Sequence, residues 1–259
     1  MSSSERTLLE KLLRRTELIE RVGEGIVEKR ELTERLDVSR ATVDRAVREL
    51  ESADVLERTD EGYALTLFGE LAYAEFRRLV DRFETLDRAR ELLVLLPAGF
   101  EIEPEVLDGA EVVLAERPIP HEPLDRFEEL IETHDRTRCY MPVAFPSSIA
   151  VLHRRITTGG TEVELFLDGP LVDRLRANYD DELGDALAAE NATLRRIPPE
   201  RGLGVVLALF DERVVWIGVH DDGDVRGSIT LEADRATEWA RAHLDRYRET
   251  GGEITSPES

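Results

Sequence analysis

The sequence is short of lysine, cysteine and long apolar runs. Only two of its 34 basic residues are lysines, Lys11 and Lys29. The single cysteine, Cys139, excludes an internal disulfide. No apolar run approaches the roughly 18 residues that a membrane-spanning helix needs, and the opening Met-Ser-Ser-Ser-Glu-Arg lacks the apolar stretch of a signal peptide. We therefore expect a cytoplasmic protein with no membrane partner.

The same shortages argue against several kinds of catalysis. No lysine follows Lys29, which removes the P-loop lysine, Schiff-base chemistry and the His-x-Lys pair of phospholipase D-type enzymes from the rest of the chain. The five histidines are scattered, without metal-ligand spacing. Neither Gly-x-Ser-x-Gly nor Gly-x-Gly-x-x-Gly occurs. Cys139 lies in an apolar stretch that is typical of a buried structural thiol. We expect no enzyme activity, no catalytic residue, no metal and no cofactor. The alternative is an enzyme with a DNA-targeting domain, which would need a cleft of carboxylates or histidines with perturbed pKa values.

The net charge is strongly negative but unevenly spread. The chain has 56 acidic residues and a formal net charge of -22. An acidic, lysine-poor chain is typical of a halophilic archaeal protein, because carboxylates stay hydrated and their repulsion is screened within about 3 Å at 1 M salt. Residues 1–85 hold 15 basic and 20 acidic residues, against 19 and 36 in the remainder. The charge therefore indicates the habitat and does not exclude a polyanionic partner.

Residues 1–66 are predicted to form a winged helix-turn-helix. Ser39 is a good N-cap because its hydroxyl can accept a free backbone N–H, and it precedes a helix over about residues 39–53. A strand, a turn and a second strand follow over residues 55–66, where a wing would lie. The apolar face of the second helix consists of Val43, Val47 and Leu50.

The segments "LTERLDVSRATVDRAVRELESADVLER" and "GYALTLFGE" resemble the winged helix-turn-helix of archaeal and bacterial transcription regulators. The resemblance covers residues 7–85 and implies that the second helix enters the major groove of double-stranded DNA. Arginine pairs with guanine through two hydrogen bonds worth about 1–3 kcal/mol of discrimination, so Arg40 and Arg45 are the strongest candidates for reading bases. The DNA contacts that the resemblance implies are Ser39, Arg40, Thr42, Arg45, Arg48 and Arg58.

Two alternatives stay open for these arginines. Arg45 could pair with Glu49 on the helix surface, and Arg48 with Asp44 or Glu51, as solvated ion pairs. The module as a whole could also serve as a protein-interaction adaptor without sequence-specific DNA binding. An adaptor would keep its activity after the two strongest candidate arginines were removed.

Residues 67–92 are predicted to form one connecting helix, since proline is absent and the only glycine lies near its start. Apolar residues recur along it at spacings of four and three, as in a coiled-coil seam of about two heptads. This pattern favours a homodimer, which would suit paired half-sites on DNA. The alternative is that the seam packs on its own winged helix. The seam residues are Ala72, Phe76, Leu79, Phe83 and Leu86.

Residues 93–259 alternate between strand and helix signals, which predicts an α/β sheet covered by helices and an α+β chain overall. The clearest strand is "TEVELFLD" at 161–168, and a helix is predicted over 170–190. Two later strands are predicted to form a hairpin over Asp211 and Glu212.

This half resembles the C-terminal domain of a family of archaeal regulators named after a methanogenesis regulatory protein. The segments that carry the resemblance are "VLDGAEVVLAERPIPHEPLDRF" (106–127), "GGTEVELFLD" (159–168) and "LALFDERVVWIGVHDDGDVRGSI" (207–229). It implies a domain for effector sensing or assembly. A small-molecule effector would sit where strands end and helices begin. The candidates there are Arg117, His121, Ser147, Ser148 and Asp168, although Ser147 and Asp168 also suit a role as helix caps.

Overall fold

The computed structural model describes residues 3–254 and divides into two compact units, one ending at Asp81 and one beginning at Arg82. The boundary falls inside a long helix, Leu67–Leu93. Within the described residues, no helix is long and apolar enough to cross a membrane. The three-part division into 1–66, 67–92 and 93–259 stays a prediction.

The first unit contains five helices and a β-hairpin among its described residues. In chain order these are α1 (Ser3–Arg14), α2 (Thr16–Gly23), α3 (Lys29–Arg35), α4 (Arg40–Glu51), β1 (Leu56–Thr59), β2 (Gly62–Leu65) and the first part of α5 (Leu67–Leu93). The elements follow the order predicted for a helix-turn-helix with a wing.

The hairpin is fastened to the loop that precedes α3. β1 and β2 pair antiparallel, with Thr59 opposite Gly62, and Tyr63 exchanges two backbone hydrogen bonds with Val27 at 3.0 and 3.1 Å. Gly62 has a φ of +149°, and a Cβ there would lie 2.5 Å from the carbonyl oxygen of Val27. Only glycine fits this position, so the turn predicted around residues 59–62 has a steric cause.

The hydrophobic core of the first unit lies between α4 and its neighbours. Val43, Val47 and Leu50 are buried as predicted, at spacings of four and three along the helix. Gly69, the glycine of α5, is also buried. A Cβ at this position would lie 2.0 Å from the carbonyl oxygen of Val55. The start of α5 therefore lies so close to the backbone at Val55 that any residue with a side chain at position 69 would clash.

The second unit is an eight-stranded sheet with helices on both faces. Its remaining elements are β3 (Glu111–Leu114), α6 (Glu122–Thr133), β4 (Arg136–Met141), α7 (Pro146–Thr157), β5 (Glu162–Asp168), α8 (Gly169–Asn178), α9 (Asp180–Ala188), β6 (Ala192–Ile197), β7 (Val206–Phe210), β8 (Val214–Asp221), β9 (Asp224–Leu231), α10 (Asp234–Thr250) and β10 (Gly252–Glu253). Short 3-10 turns lie at Pro104–Leu107 and Pro199–Arg201.

The strand order is β10-β6-β5-β4-β7-β8-β9-β3. β4, β5 and β6 run parallel and the other pairs are antiparallel. One core cluster packs α6 to α9 on one face of the sheet, and another packs α10 and the end of α5 on the other face. The predicted fold class, a helix-covered sheet in an α+β chain, is confirmed.

Two finer predictions for this unit have different outcomes. β7 and β8 form the predicted hairpin, and Asp211 and Glu212 take positive φ angles of 47° and 56° in its turn. The single helix predicted over 170–190 is wrong, because the chain leaves helical geometry at Tyr179. Three consecutive acidic residues follow Tyr179, and carboxylates stabilise the positive end of a helix dipole, which favours a new helix start there.

Candidate nucleic-acid interface

α4 is held at its start by the predicted cap. The hydroxyl of Ser39 accepts the backbone N–H of Thr42 at 3.2 Å, and the two hydroxyl groups lie 2.9 Å apart. Both side chains therefore have a local partner besides any role in DNA contact. Val43, Ala46, Val47 and Leu50 form the buried face of the helix, and Arg45 and Arg48 lie on its exposed side.

Three of the predicted arginines lie together on this solvent face. Arg40, Arg45 and Arg48 are exposed on α4, and Arg58 is exposed on β1 of the hairpin. None of the four forms an ion pair or a side-chain hydrogen bond with another described residue. A guanidinium group that donates no hydrogen bond to a carboxylate keeps its five donors available for phosphate or base edges. Asp44 and Glu49 interact with Arg40, Arg45 and Arg48 only through longer-range electrostatics.

Two acidic residues of α4, Asp44 and Glu49, pair with cations outside that helix. Asp44 pairs with Lys29 of α3, and the hydrogen bond from Lys29 lowers the pKa of that carboxyl group. Glu49 accepts two hydrogen bonds from Arg15, at 3.0 and 2.8 Å. The hydrogen bond from Arg15 likewise lowers the pKa of Glu49.

The surface ion pairs considered for α4 are therefore replaced by pairs with α3 and with the residue before α2. Arg45 does not bond to Glu49, and Arg48 does not bond to Asp44, since other cations hold both carboxylates. The remaining alternative partner, Glu51, forms no ion pair with Arg48 in the described structure. Lys29 and Arg15 thus keep the arginine face open.

Sequence reasoning missed both of these residues. Arg15 and Lys29 contribute to the arginine face only by occupying carboxylates that lie 34 and 15 positions away along the chain. No local spacing rule connects residues at such separations, because helix-surface pairs are recognised at three or four positions. The only feature of the sequence that drew attention to either residue is that Lys29 is one of two lysines.

The five candidate effector residues are spread over the second unit. Arg117, His121 and Ser147 are exposed, and no described hydrogen bond or ion pair joins any two of the five. Ser148 is fully buried and donates to Glu128 at 3.4 Å. Phe145, and not a serine, is the N-cap of α7, so the cap role considered for Ser147 is wrong. Proline at the first position of that helix needs no N–H acceptor.

Asp168 has a defined polar environment. It is the N-cap residue of α8 but makes no capping bond with its side chain, which instead accepts the hydroxyl of Tyr140 at 2.9 Å. Burial raises the pKa of Asp168, and the bond from Tyr140 partly offsets that rise. Burial and the neighbouring Asp168 also raise the pKa of Tyr140. Within the described residues, no group of three His, Cys, Asp or Glu side chains is placed to hold a metal ion.

Two protein-family models match the chain. The model described as the middle domain of the methanogenesis regulatory protein FilR1 matches residues 120–250, which is half of the chain. The model described as the HVO_A0261 N-terminal domain matches residues 4–88. No curated protein matches the chain.

Several solved structures are distantly similar. TrmBL2, described as an archaeal chromatin protein with a novel mode of DNA binding, aligns over 98% of this chain and 95% of its own at 16% identity and a TM-score of 0.41. Nuc from Salmonella typhimurium, a phospholipase D family member, aligns over 57% of this chain and 99% of its own, at 11% identity and a TM-score of 0.44. NucT from Helicobacter pylori aligns over 56% and 98%, at 11% identity and a TM-score of 0.45.

Proposed function

Because the chain belongs to the family of the methanogenesis regulatory protein FilR1, we propose that it is a transcription regulator that binds a specific DNA operator through α4. The observation that supports this proposal is the exposed, unpaired set of arginines on α4 and the hairpin. Lys29 and Arg15 pair with Asp44 and Glu49, which remain within electrostatic range of the arginines of α4 but form no ion pair with them. The proposal gives the chain no catalytic role.

We assign different tasks to the arginines according to their place. Arg40 and Arg45 lie in the first two turns of α4, the part of a recognition helix that meets base edges in the major groove. Arg48, near the end of the helix, and Arg58, on the hairpin, would contact phosphates. Phosphate contacts lose strength as salt rises, because they depend on the release of counterions. In a salt-rich cytoplasm, base contacts and shape fit would therefore carry most of the affinity.

A second copy of the chain would complete the DNA-binding unit. In the first unit, α5 exposes Leu67, Phe68, Leu71 and Leu79. Of the predicted seam, Phe76 is buried in the core of its own unit, whereas Leu79 and Phe83 are exposed. Large apolar side chains exposed along one helix are typical of an association surface. We infer a homodimer through α5 that reads paired half-sites, with the second unit sensing an effector or stabilising the assembly.

The test is selection of DNA from a random duplex library at 2 M KCl, followed by affinity measurements on the enriched sequence. The wild type should enrich one motif, and its symmetry should report the dimer. Arg40→Ala/Arg45→Ala should bind that motif about 100-fold more weakly, since two base contacts of about 1–3 kcal/mol each are lost. Arg48→Ala should weaken all sequences alike and reduce the salt slope by about 1.

Arg30→Ala is the matched control, because Arg30 is exposed on α3 and already paired with Glu34 at 2.8 Å. It should bind the motif as tightly as the wild type. Unchanged affinity in Arg40→Ala/Arg45→Ala would contradict the assignment of α4. If no duplex is enriched and partner proteins still bind the double variant, the chain is an interaction adaptor.

A further inference from the structure

The second unit contains a polar cleft that none of the candidate effector residues lines. Its volume is about 330 Å³, which falls within the range of small-molecule sites, roughly 300–1,000 Å³. One wall runs from the end of the 3-10 turn at Pro199–Arg201 to Leu203, and another is the last two turns of α10. The lining side chains with charged or hydrogen-bonding groups include Glu101, Arg201, His243, Arg246 and Tyr247.

The charge of this cleft is positive in a strongly acidic chain. Arg201 and Arg246 are exposed, and neither forms an ion pair with a described residue. By contrast Arg248, two positions further along α10, binds Glu164 through two nitrogen atoms at 2.7 and 2.6 Å. Glu101 is the one carboxylate among the described residues that line the cleft. Two guanidinium groups facing one space suit a carboxylate or a phosphate, which they bind through paired hydrogen bonds.

The wall that carries Arg201 packs against two buried tyrosines, Tyr140 and Tyr247. Tyr247 lines the cleft beside Leu203, and Tyr140 lies against Gly202 and donates its hydroxyl to Asp168 at 2.9 Å. The two rings stack with centroids 4.7 Å apart. A Cβ on Gly202 would lie 2.0 Å from the hydroxyl oxygen of Tyr140, so only glycine allows this approach. A site whose backbone is already ordered loses less entropy when a ligand binds.

His243 offers the cleft a defined hydrogen-bond acceptor. Its Nδ1–H donates to the carbonyl oxygen of Trp239 at 2.9 Å, and the two rings lie 4.6 Å apart. Burial lowers the pKa of His243, the bond to Trp239 opposes that change, and Arg246 lowers the pKa further. The lowered pKa favours the neutral ring, in which Nε2 keeps a lone pair for a hydroxyl or amino group.

We propose that this cleft binds a small organic anion, with its carboxylate or phosphate group on Arg201 and Arg246 and a hydroxyl or amino group near His243 and Glu101. The inference deepens the sensing role proposed for the second unit and rests on it for its regulatory consequence. Binding itself requires no DNA and is measured without it.

Trp239 provides a local reporter, because its indole N–H donates to the carbonyl oxygen of Glu101 at 3.1 Å beside the cleft. The other tryptophan, Trp216, is buried in the core cluster on the opposite face of the sheet and serves as an internal control. We would titrate the full chain, labelled with nitrogen-15 in its tryptophans, with malate, glycerol 3-phosphate and inorganic phosphate at constant ionic strength. Trp239→Phe assigns the two indole signals.

The expected result is a saturable shift of the Trp239 signal with at least one of these anions, while the Trp216 signal stays in place. Arg201→Ala/Arg246→Ala should weaken that binding at least ten-fold. Arg235→Ala, an exposed arginine in the first turn of α10 without a described ion pair, should leave it unchanged. Malate and glycerol 3-phosphate distinguish a carboxylate ligand from a phosphate ligand.

Absence of a saturable shift with all three anions would overturn the proposal, as would equal affinity in Arg201→Ala/Arg246→Ala. A uniform shift of both indole signals, shared by Arg235→Ala, would mean nonspecific ion binding and would also overturn it. A chain that titrates but binds no DNA would keep the cleft and overturn only the proposed regulator. Because both arginines are exposed, far-UV circular dichroism of the double variant should match the wild type.

Discussion

Replacement of Arg138 by methionine should destabilise the second unit by about 3 kcal/mol, at the lower end of the roughly 3–5 kcal/mol expected when one partner of a buried ion pair is removed. Arg138 lies on β4 and is only 3% exposed. Its guanidinium donates to Glu164 of β5 at 2.9 Å and to Asp245 of α10 at 2.6 Å. It also lies 3.5 Å from Glu212 in the β7–β8 turn.

The lower end of the range applies because the network has further cations. Arg248 continues to bind Glu164, and Arg241 continues to bind Glu212 at 2.7 Å, after Arg138 is lost. Asp245 is 48% exposed and can be hydrated. In a unit of this size each 1 kcal/mol shifts the melting temperature by about 2–4 °C, so the expected fall is about 6–12 °C.

The same network predicts a pH dependence. Burial raises the pKa of Glu164, but hydrogen bonds from Arg248 and Arg138 outweigh that effect and leave the pKa below its usual value. A carboxyl group with a depressed pKa contributes stability that is present above its unfolded pKa of about 4.3. That contribution is lost as the pH falls through the folded pKa. Because Arg138→Met removes one of the two cations, the variant should lose less stability on acidification than the wild type.

Urea unfolding at constant KCl, followed by circular dichroism, measures these changes. Arg154→Met is the matched control, since Arg154 and Glu132 form an exposed pair in the same unit, and such a pair contributes about 0–1 kcal/mol. Arg138→Met/Glu164→Met should recover part of the loss, because the two residues are partners in the β4–β5 register and an apolar pair removes the buried carboxylate that has lost one of its two cations. A loss below 1 kcal/mol in Arg138→Met, equal to that in Arg154→Met, would refute the reasoning.

Three further predictions concern a buried hydroxyl, two helix glycines and a buried thiol. Thr230→Val should be neutral or stabilise by up to about 1 kcal/mol in urea unfolding, because the Thr230 hydroxyl is buried and lacks a hydrogen-bond partner among the described residues; a loss above that value would indicate a partner. Gly69→Ala should destabilise by about 1–3 kcal/mol, since its Cβ would strike the carbonyl oxygen of Val55. Gly184→Ala in α9, where nothing lies within 4 Å, should stabilise by about 0.5–1 kcal/mol; equal effects would contradict this contrast. The Cys139 thiol is fully buried, and burial raises its pKa. A thiol reagent should therefore label it only after unfolding, and rapid labelling of the native chain would contradict its burial.

The features that sequence analysis predicted well depend on neighbours close along the chain. The cap at Ser39, the buried face of α4 and the turn at Asp211 and Glu212 each follow from a few adjacent side chains. The helix predicted over 170–190 failed for a related reason. Its apolar pattern continues across Tyr179, but the backbone there leaves helical geometry before the acidic start of α9.

The seam of the connecting helix shows what an apolar pattern can and cannot predict. Its periodicity correctly identified one long helix, yet it could not separate residues that face the core from residues that remain exposed. Phe76 packs into the first unit, while Leu79 and Phe83 do not. Equal spacing describes a stripe on a helix, and only the neighbouring elements determine which part of the stripe they cover.

By itself, the sequence determined most of the helices and strands, the acidic and lysine-poor composition, and the exposed side of α4 with its arginines, because periodicity and capping act over a few residues. Tertiary structure alone decided that Lys29 and Arg15 occupy the carboxylates beside those arginines. It also brought Arg201 and Arg246 into one cleft. Such pairings join residues far apart in the chain, and they form only when the packing of helices and strands places their side chains within hydrogen-bond distance.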